Sequence, residues 1–166
     1  MSRTLWGIFD HKVDQKGRVS VPADYRRVIE AGDPSFGQGR RPQLAIVYGL
    51  DDDYLVGYTI EEITKYEERI GKMRNSPLKR QLVRRLISKS FRTEIDNDGR
   101  LVLPQERREQ LKLEGEVTFV GALGTFQMWR PDTYLASEAA DDAAIGDDME
   151  GEALLDAMDE ALAELE

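Results

Sequence analysis

The chain has 166 residues, 40% of them apolar and 33% charged, which is enough for one ordinary domain or two small half-domains. It has no cysteine and one histidine, which excludes disulfides, a thiol nucleophile and cysteine-ligated zinc. No apolar run approaches the roughly 20 residues of a membrane helix, and the first residues lack a signal-peptide core, so we expect a soluble cytoplasmic protein.

The formal net charge of −9 is unevenly distributed along the chain. Residues 137–166 hold twelve acidic side chains and no basic one. The preceding 136 residues therefore carry 23 basic and 20 acidic side chains, a formal charge of +3. An overall negative charge thus does not exclude a nucleic-acid partner.

The run VDQKGRVSVP, residues 13–22, predicts a tight turn between two strands. Asp14 can accept backbone hydrogens and Gly17 tolerates positive φ, which favours a type I turn that closes a hairpin. Pro22 is expected as the first residue of a short helix that ends near Gly32.

A loop, two strands and a helix follow. The run GQG at residues 37–39 lacks a third glycine and a preceding strand, so it predicts a mobile connection and not a dinucleotide loop. The three aspartates at residues 51–53 are expected to form a polar turn between strands, with cation binding as the alternative. Thr59 has the spacing of a capping box and begins a helix to about Gly71.

A second connector helix is expected to begin at Ser76-Pro77 with an apolar and a basic face. The apolar face contains Leu78, Leu82, Val83, Leu86 and Ile87. Residues 72–92 hold eight basic and no acidic side chains, which favours phosphate contacts. The predicted secondary phosphate contacts are Lys12, in the first strand, and Arg80, Arg84 and Arg85 on the basic face.

The run IDNDGRLVLP, residues 95–104, repeats the first turn 82 positions later. Asp96 and Gly99 are its turn-forming residues, Pro104 is again expected to begin a short helix, and Gly115 to end it. An apolar run follows each copy, so the order of elements is duplicated. Half of this chain is too small to bury a good core alone, so one half is expected to complete the other.

An arginine follows the glycine of each turn. The planar fork of Arg18 or Arg100 matches a phosphate or the O6/N7 edge of guanine. Lys16 adds a cation to the first turn where Asp98 occupies the second, so the first copy is better suited to an anionic partner. The alternative is that each arginine only pairs with the aspartate of its own turn.

Catalysis and metal binding are not expected, because no nucleophile stands beside a base and no ligands cluster. We interpret His11 as a surface or hydrogen-bonded histidine. No cofactor is implied.

The acidic tail, residues 137–166, is expected to be disordered over residues 137–151. The apolar residues Leu154, Leu155, Met158, Leu162 and Leu165 predict a short helical stripe that folds against a partner or another subunit. The tail either only solubilises the protein or competes with DNA phosphates for its basic surface.

Together these motifs resemble the MraZ transcriptional regulators, built from two AbrB-like halves with an Asp-x-x-Gly-Arg turn. The resemblance spans about residues 5–135 and includes both turns, their prolines, the intervening PLKRQLVRRLISKSF and the late FQMW. It implies a swapped-hairpin β fold, ring-like homo-oligomers, and binding to guanine-rich direct repeats upstream of the operon for division and cell-wall genes. The DNA contacts it implies are Lys16 and Arg18, followed by Arg100.

Two features depart from the family pattern. The chain has Leu5-Trp6-Gly7 where the family usually opens with Phe-Arg-Gly, so an N-terminal arginine contact does not carry over. The acidic end beyond Ser137 is also unlike the usual ending.

We therefore predict an α+β protein in which duplicated AbrB-like β-hairpin halves form a small pseudo-symmetric β-barrel-like core with short helices. The expected divisions are a first half at 5–58, a helical connector at 59–90, a second half at 91–135 and a partly disordered acidic tail at 136–166. The expected function is sequence-specific binding of double-stranded DNA as a homo-oligomeric, nucleoid-associated regulator. The alternative is an AbrB-like antitoxin-type module whose acidic tail engages a partner protein.

Overall fold

A computed structural model describes residues 3–146 and 148–165. Two positions of the predicted acidic tail, 147 and 166, lie outside the described residues. The chain divides into two compact units, one up to Pro131 and one from Asp132 onward. In the described part of the chain, no helix is both long and apolar enough to cross a bilayer.

Among the residues that the structure describes, the first unit contains eight strands and four α-helices, and the second unit is helical. The strands are β1 (Ile8–Lys12), β2 (Arg18–Ser20), β3 (Gln43–Val47), β4 (Tyr54–Thr59), β5 (Ser90–Glu94), β6 (Arg100–Val102), β7 (Glu116–Ala122) and β8 (Thr125–Trp129). The helices are α1 (Ala23–Ala31), α2 (Ile60–Gly71), α3 (Pro77–Leu82), α4 (Gln105–Leu111), α5 (Pro131–Ile145) and α6 (Glu152–Ala163). The predicted α+β class is confirmed.

Six strands form one antiparallel sheet in the order β1-β7-β8-β4-β3-β5. The order is pseudo-symmetric, because the β1-β7-β8 and β5-β3-β4 triplets meet at the β4–β8 pair, where Val56 lies opposite Gln127. The sequence duplication is therefore visible in the sheet. The division of this unit at residues 58 and 91 stays a prediction.

The remaining two strands, β2 and β6, pair with each other across the two copies of the repeat. Val19 lies opposite Leu101, Arg18 opposite Val102 and Ser20 opposite Arg100. The prediction from the residues alone that each turn closes a hairpin was wrong in this respect. Apart from a bridge between Val13 and Val19, the strand after the first turn leaves β1 and pairs with β6 of the other copy, where Val19 and Leu101 are both buried.

The six-stranded sheet is covered on both faces. One core cluster contains Tyr25 of α1, Phe119 and Phe126, together with Val19 and Leu101 from the small sheet. The other packs alternate residues of β3 and β4 against α2 and the connector. Burial on both faces explains why β3 and β4 have almost continuous apolar sequences.

The helix ends follow the predicted signals with two corrections. The Thr59 hydroxyl accepts a hydrogen bond from the Glu62 N–H and caps α2, as predicted. Pro22 and Pro104 are not the first helical residues but cap positions with extended backbone, one residue before α1 and α4. Helix α4 ends at Lys112 in left-handed conformation, and Gly115 lies beyond it.

The connector begins as predicted, with the Ser76 hydroxyl accepting from the Lys79 N–H. Its predicted apolar face is only partly correct, since Leu86 is buried but Leu78 and Val83 are exposed. A π-helical turn at Val83–Ser88 changes the residues per turn and breaks the 3.6-residue periodicity from Val83 onward, whereas Leu78 lies before it in the first turn of α3.

The tail contains helices where its first part was expected to be disordered. Helix α5 runs to Ile145, because residues 131–145 place a proline in the first turn and are rich in alanine, the best helix former. Helix α6 contains most of the predicted apolar stripe. Its Leu154, Leu155, Met158 and Leu162 are exposed.

Candidate nucleic-acid interface

The first turn is fixed by hydrogen bonds to a single aspartate. The Gly17 N–H donates to the Asp14 carbonyl at 3.0 Å, and Gly17 has φ +84°. The Asp14 carboxylate oxygen Oδ1 accepts from the N–H groups of Lys16 and Arg18, both at 2.9 Å. The backbone N–H of Arg18 is the main cause that lowers the pKa of Asp14, because this hydrogen bond stabilises the ionised carboxylate.

Arg18 is held by the same aspartate through only one of its nitrogens. Its Nε donates to Asp14 Oδ2 at 2.6 Å, and its side chain is 38% exposed. Within the described residues, its two terminal amino groups make no hydrogen bond. The ion pair therefore sets the direction of the guanidinium and leaves its outer fork available, with the exposed Lys16 beside it.

Arg108 of α4 supports the first turn through hydrogen bonds to two backbone carbonyls. Its Nε donates to the Leu103 carbonyl at 3.0 Å and its terminal nitrogen to the Gln15 carbonyl at 3.2 Å. A Cβ at Gly17 would overlap the Leu103 carbonyl oxygen, so only glycine fits this close approach. Sequence reasoning noted Arg108 as a repeated residue and missed this role, because the carbonyls it contacts come from both copies.

The second turn has the same backbone and a different arginine environment. The Asp96 oxygen Oδ1 accepts from the N–H groups of Asp98 and Arg100 at 2.9 and 3.0 Å, and the Arg100 N–H is the main cause that lowers the pKa of Asp96. The Arg100 guanidinium contacts two carboxylates, with Nε 3.5 Å from Asp96 and a terminal nitrogen 3.1 Å from Asp98. One arm of its fork is thus occupied by the protein.

The crossed β2–β6 pairing brings the two arginines together. Val19 and Leu101 point inward and are each 1% exposed, so Arg18 and Arg100 lie on the opposite, outward face. They are diagonal neighbours on adjacent strands, roughly 7–8 Å apart at their Cα atoms. The structure therefore combines two turns, far apart in sequence, into one surface.

Comparison with other proteins places these turns in a known family. A family model described as "MraZ protein, putative antitoxin-like" matches residues 86–153. A protein named transcriptional regulator MraZ from Cereibacter sphaeroides is 44% identical over 87% of this chain and 90% of its own length. The protein of the same name from Ruegeria pomeroyi is 44% identical over 84% and 85%, respectively, and that from Hydrogenovibrio crunogenus 31% over 85% and 90%.

The chain belongs to the MraZ family. The resemblance noted from the turn motifs is thereby confirmed. Their shared name indicates a transcriptional regulator, a role that is not enzymatic.

Other predicted contacts of this MraZ protein lie on different elements. Lys12 is exposed at the end of β1, opposite Glu116 of β7. Arg80, Arg84 and Arg85 are exposed on α3 and the π-helical turn, which packs on β3 and β5 and not on the small sheet. They form a second basic surface on separate elements.

His11 and the aspartates at 51–53 have structural surroundings in this MraZ protein. The Nδ1 atom of His11 hydrogen-bonds the Ser20 carbonyl, and its ring contacts Phe119 edge-on. Asp51 accepts a hydrogen bond from the Asp53 N–H within the loop between β3 and β4, as expected for a polar turn. Both predictions are confirmed.

Proposed function

We propose that this protein binds double-stranded DNA in a sequence-specific manner through the outward face of the β2–β6 sheet. Arg18 and Lys16 are the main contacts and Arg100 the secondary one. The observation that supports this most is the pair of guanidinium groups on one exposed face, each oriented by its own turn.

The chemistry suits guanine recognition. A bidentate contact to O6 and N7 needs two adjacent donors held in one plane, which the outer fork of Arg18 provides. Because Nε is tied to Asp14, little side-chain freedom is lost when a base is bound. The ion pair within the turn therefore orients the arginine. Pairing with the aspartate of its own turn and contacting DNA, which were alternatives for this arginine, are thus compatible.

Homo-oligomers bound to direct repeats upstream of the division and cell-wall gene operon complete the proposal. Several weak contacts on repeated sites raise affinity through effective concentration. Large apolar side chains are also exposed in one small region around β1 and the β7–β8 turn. Trp6, Ile8 and Leu123 are 75%, 54% and 74% exposed, and such a patch supports a contact between subunits.

Light scattering tests the oligomer. We expect a mass several times the 18.9 kDa of one chain at micromolar concentration. A protein that remains monomeric at the concentrations where DNA is bound contradicts this part of the proposal.

The exposed cations outside the turns fit phosphate contacts. Lys12, Arg80, Arg84 and Arg85 would position the protein on the DNA backbone without reading its sequence. Such contacts also support a nucleoid-associated location, because non-specific DNA binding is electrostatic.

A footprint on the region upstream of the chain's own operon tests the DNA function. We expect protection of short repeated sites, and a binding constant that falls with salt with a log–log slope near −0.9 per phosphate contact. Equal affinity for this region and for random DNA of the same length argues against sequence-specific binding.

The tail favours a second candidate, a module that binds a basic partner protein. Helix α6 has an exposed apolar stripe among acidic side chains, which is the pattern of a helix that docks on a partner. Ending the chain at Ala136 separates this candidate from DNA binding, because the truncated protein lacks α6 and should lose the partner complex while it keeps both turns.

A further inference from the structure

Two buried nitrogen atoms lack a partner beneath the second turn. Among the described residues, the buried side-chain nitrogen or oxygen atoms without a hydrogen bond are Nε of Arg26 and Nε of Arg100. Burying a donor of a charged group without an acceptor is costly, and such atoms usually mark a missing ligand or water. Arg100 Nε still has Asp96 at 3.5 Å, so Arg26 is the less satisfied of the two.

The equivalent arginine at the first turn shows which hydrogen bonds Arg26 lacks. Arg108 is its equivalent in the second copy, 82 positions later, and donates to the carbonyls of Leu103 and Gln15. The Arg26 guanidinium instead lies against Gly99, at a distance that a Cβ there would not allow. It makes no hydrogen bond with the described residues, so its donors are free for a ligand.

An open cavity of about 370 Å³ lies beside this guanidinium, between α1, the segment before β3 and the second turn. Its lining includes three arginines, Arg26, Arg40 and Arg41, together with the acidic residues Glu30 and Asp96.

Two of the residues that line the cavity, Arg41 and Asp96, already have partners. Glu94 pairs with Arg41 at 3.0 Å, and Asp96 accepts from the backbone of its own turn. Within the described residues, Arg26 and Arg40 form no ion pair, although Glu30 is on the same helix as Arg26. Two guanidinium groups that form no hydrogen bond or ion pair with the described residues therefore line one cavity, and both can donate to a ligand there.

The segment that presents Arg40 is anchored. Asp33, which is 5% exposed, accepts hydrogen bonds from the N–H and hydroxyl of Ser35 and from the N–H of Gln43. These contacts fix both ends of the segment, so a ligand in the cavity meets a partly preorganised wall.

We propose that this cavity binds a phosphate of the DNA backbone through Arg26 and Arg40, which rests on the proposed DNA-binding function. A phosphate oxygen supplies the acceptors that the Arg26 guanidinium lacks, and a bidentate arginine contact suits its geometry. The second turn then anchors the backbone, whereas the first turn reads a base. Phosphate contacts fix register and base contacts supply specificity, so the duplicated turns divide the two tasks.

The test measures DNA affinity by fluorescence anisotropy over a range of KCl concentrations for Arg26→Gln and Arg40→Gln. The matched control is Arg27→Gln, the next residue on α1, which is exposed and pairs with Asp24. We expect each cavity variant to reduce the log–log salt slope by about 0.9 for each copy of the contact and to weaken upstream and random DNA alike. The control should leave the slope unchanged.

Circular dichroism and thermal melting show whether each variant is folded, and the two variants alter different elements, so one unfolded variant leaves the other as a test. A wild-type slope in folded Arg26→Gln and Arg40→Gln overturns the inference.

A second measurement separates this inference from the function on which it depends. Arg18→Ala in the same series reports on base reading. If Arg18→Ala loses specific binding while Arg26→Gln and Arg40→Gln keep the wild-type salt slope, the inference about the cavity is overturned and the proposed DNA-binding function stands. Inorganic phosphate provides the other source of the same chemistry. The melting temperature is compared in phosphate and in chloride at equal ionic strength. If phosphate raises it in the wild type but not in Arg26→Gln, while the salt slopes of DNA binding stay unchanged, the cavity binds a free anion and the backbone-phosphate assignment is overturned.

Discussion

The first and second Asp-x-x-Gly-Arg turns have the same backbone and differ in how their arginines are occupied. Both aspartates accept two backbone N–H groups and both glycines have positive φ. Arg18 uses one nitrogen for its own turn, whereas Arg100 contacts two carboxylates. The comparison shows that a duplicated motif can keep its backbone scaffold while one substitution, lysine to aspartate beside the arginine, changes which carboxylates the arginine contacts.

The largest expected effect is that of Arg18→Ala. Loss of a bidentate guanine contact costs roughly 1–3 kcal/mol per site, and an oligomer repeats that loss, so specific binding should disappear in a gel-shift series. Arg100→Ala should weaken binding less, because one arm of its fork already contacts Asp98. Arg27→Ala serves as the exposed-arginine control. If Arg100→Ala proves the more damaging change in folded protein, the ranking of the two turns is wrong.

Substitution of Gly17 and of Gly99 should lower the free energy of unfolding by different amounts. Alanine at either position meets a left-handed backbone, which costs roughly 1–2 kcal/mol. Gly17→Ala also collides with the Leu103 carbonyl, whereas Gly99→Ala collides with the Arg26 side chain, which can rotate away. We therefore expect Gly17→Ala to lower the free energy of unfolding by about 1–3 kcal/mol more than Gly99→Ala.

Urea denaturation at one fixed protein concentration measures this difference, because association also contributes to stability. Gly71→Ala is the control, since it lies in α2 with open space around its Cβ and should not destabilise the protein. Equal losses at Gly17 and Gly99 would mean that the backbone at Leu103 moves aside as easily as the Arg26 side chain.

Exchanging the charges beside the arginines sharpens the comparison. Asp98→Lys removes the carboxylate that holds Arg100 and adds a cation, so DNA affinity should rise several-fold at low salt. Lys16→Asp should lower it, since the new carboxylate would occupy Arg18 as Asp98 occupies Arg100. Anisotropy titrations of both variants check this pair of opposite shifts. An unchanged affinity in both would remove this position as the source of the difference between the turns.

The smallest expected effect concerns the acidic tail. If its twelve carboxylates compete with DNA phosphates, ending the chain at Ala136 should tighten binding to random DNA a few-fold, mainly at low salt. The turn that carries Lys16 should respond most, so the gain should be smaller in Lys16→Asp. Equal binding by truncated and full-length protein, in the same oligomeric state, contradicts the competition idea.

Much of the fold was predictable because its signals are local. The turns, the capped start of α2 and the start of the connector each depend on residues within four positions of one another. The π-helical turn was not predictable, since apolar spacing was interpreted at 3.6 residues per turn and Leu78 and Val83 were placed inward. The helix at the start of the tail was not predicted, because its dense negative charge was expected to keep it disordered and its high alanine content favours a helix.

The candidate site was predictable in its residues and not in its assembly. Val19 and Leu101 are equivalent in the repeat, so β2 could satisfy the same pattern by pairing within its copy or with the other copy. Only the family resemblance implied the crossed pairing. The contrast between Arg108 and Arg26 was also hidden, because it depends on which backbone carbonyls the fold brings close.

The crossed pairing also has a consequence for the newly made chain. The Gly17 carbonyl accepts from the Leu103 N–H, and the Gln15 carbonyl accepts from Arg108, more than 80 residues further along. At 5–20 residues per second, synthesis therefore takes several seconds or more to supply these partners after the first turn has been made. Such distant contacts also form slowly. A nascent chain that stops before residue 100 holds every residue of the first turn and still lacks both β6 and Arg108, which complete it.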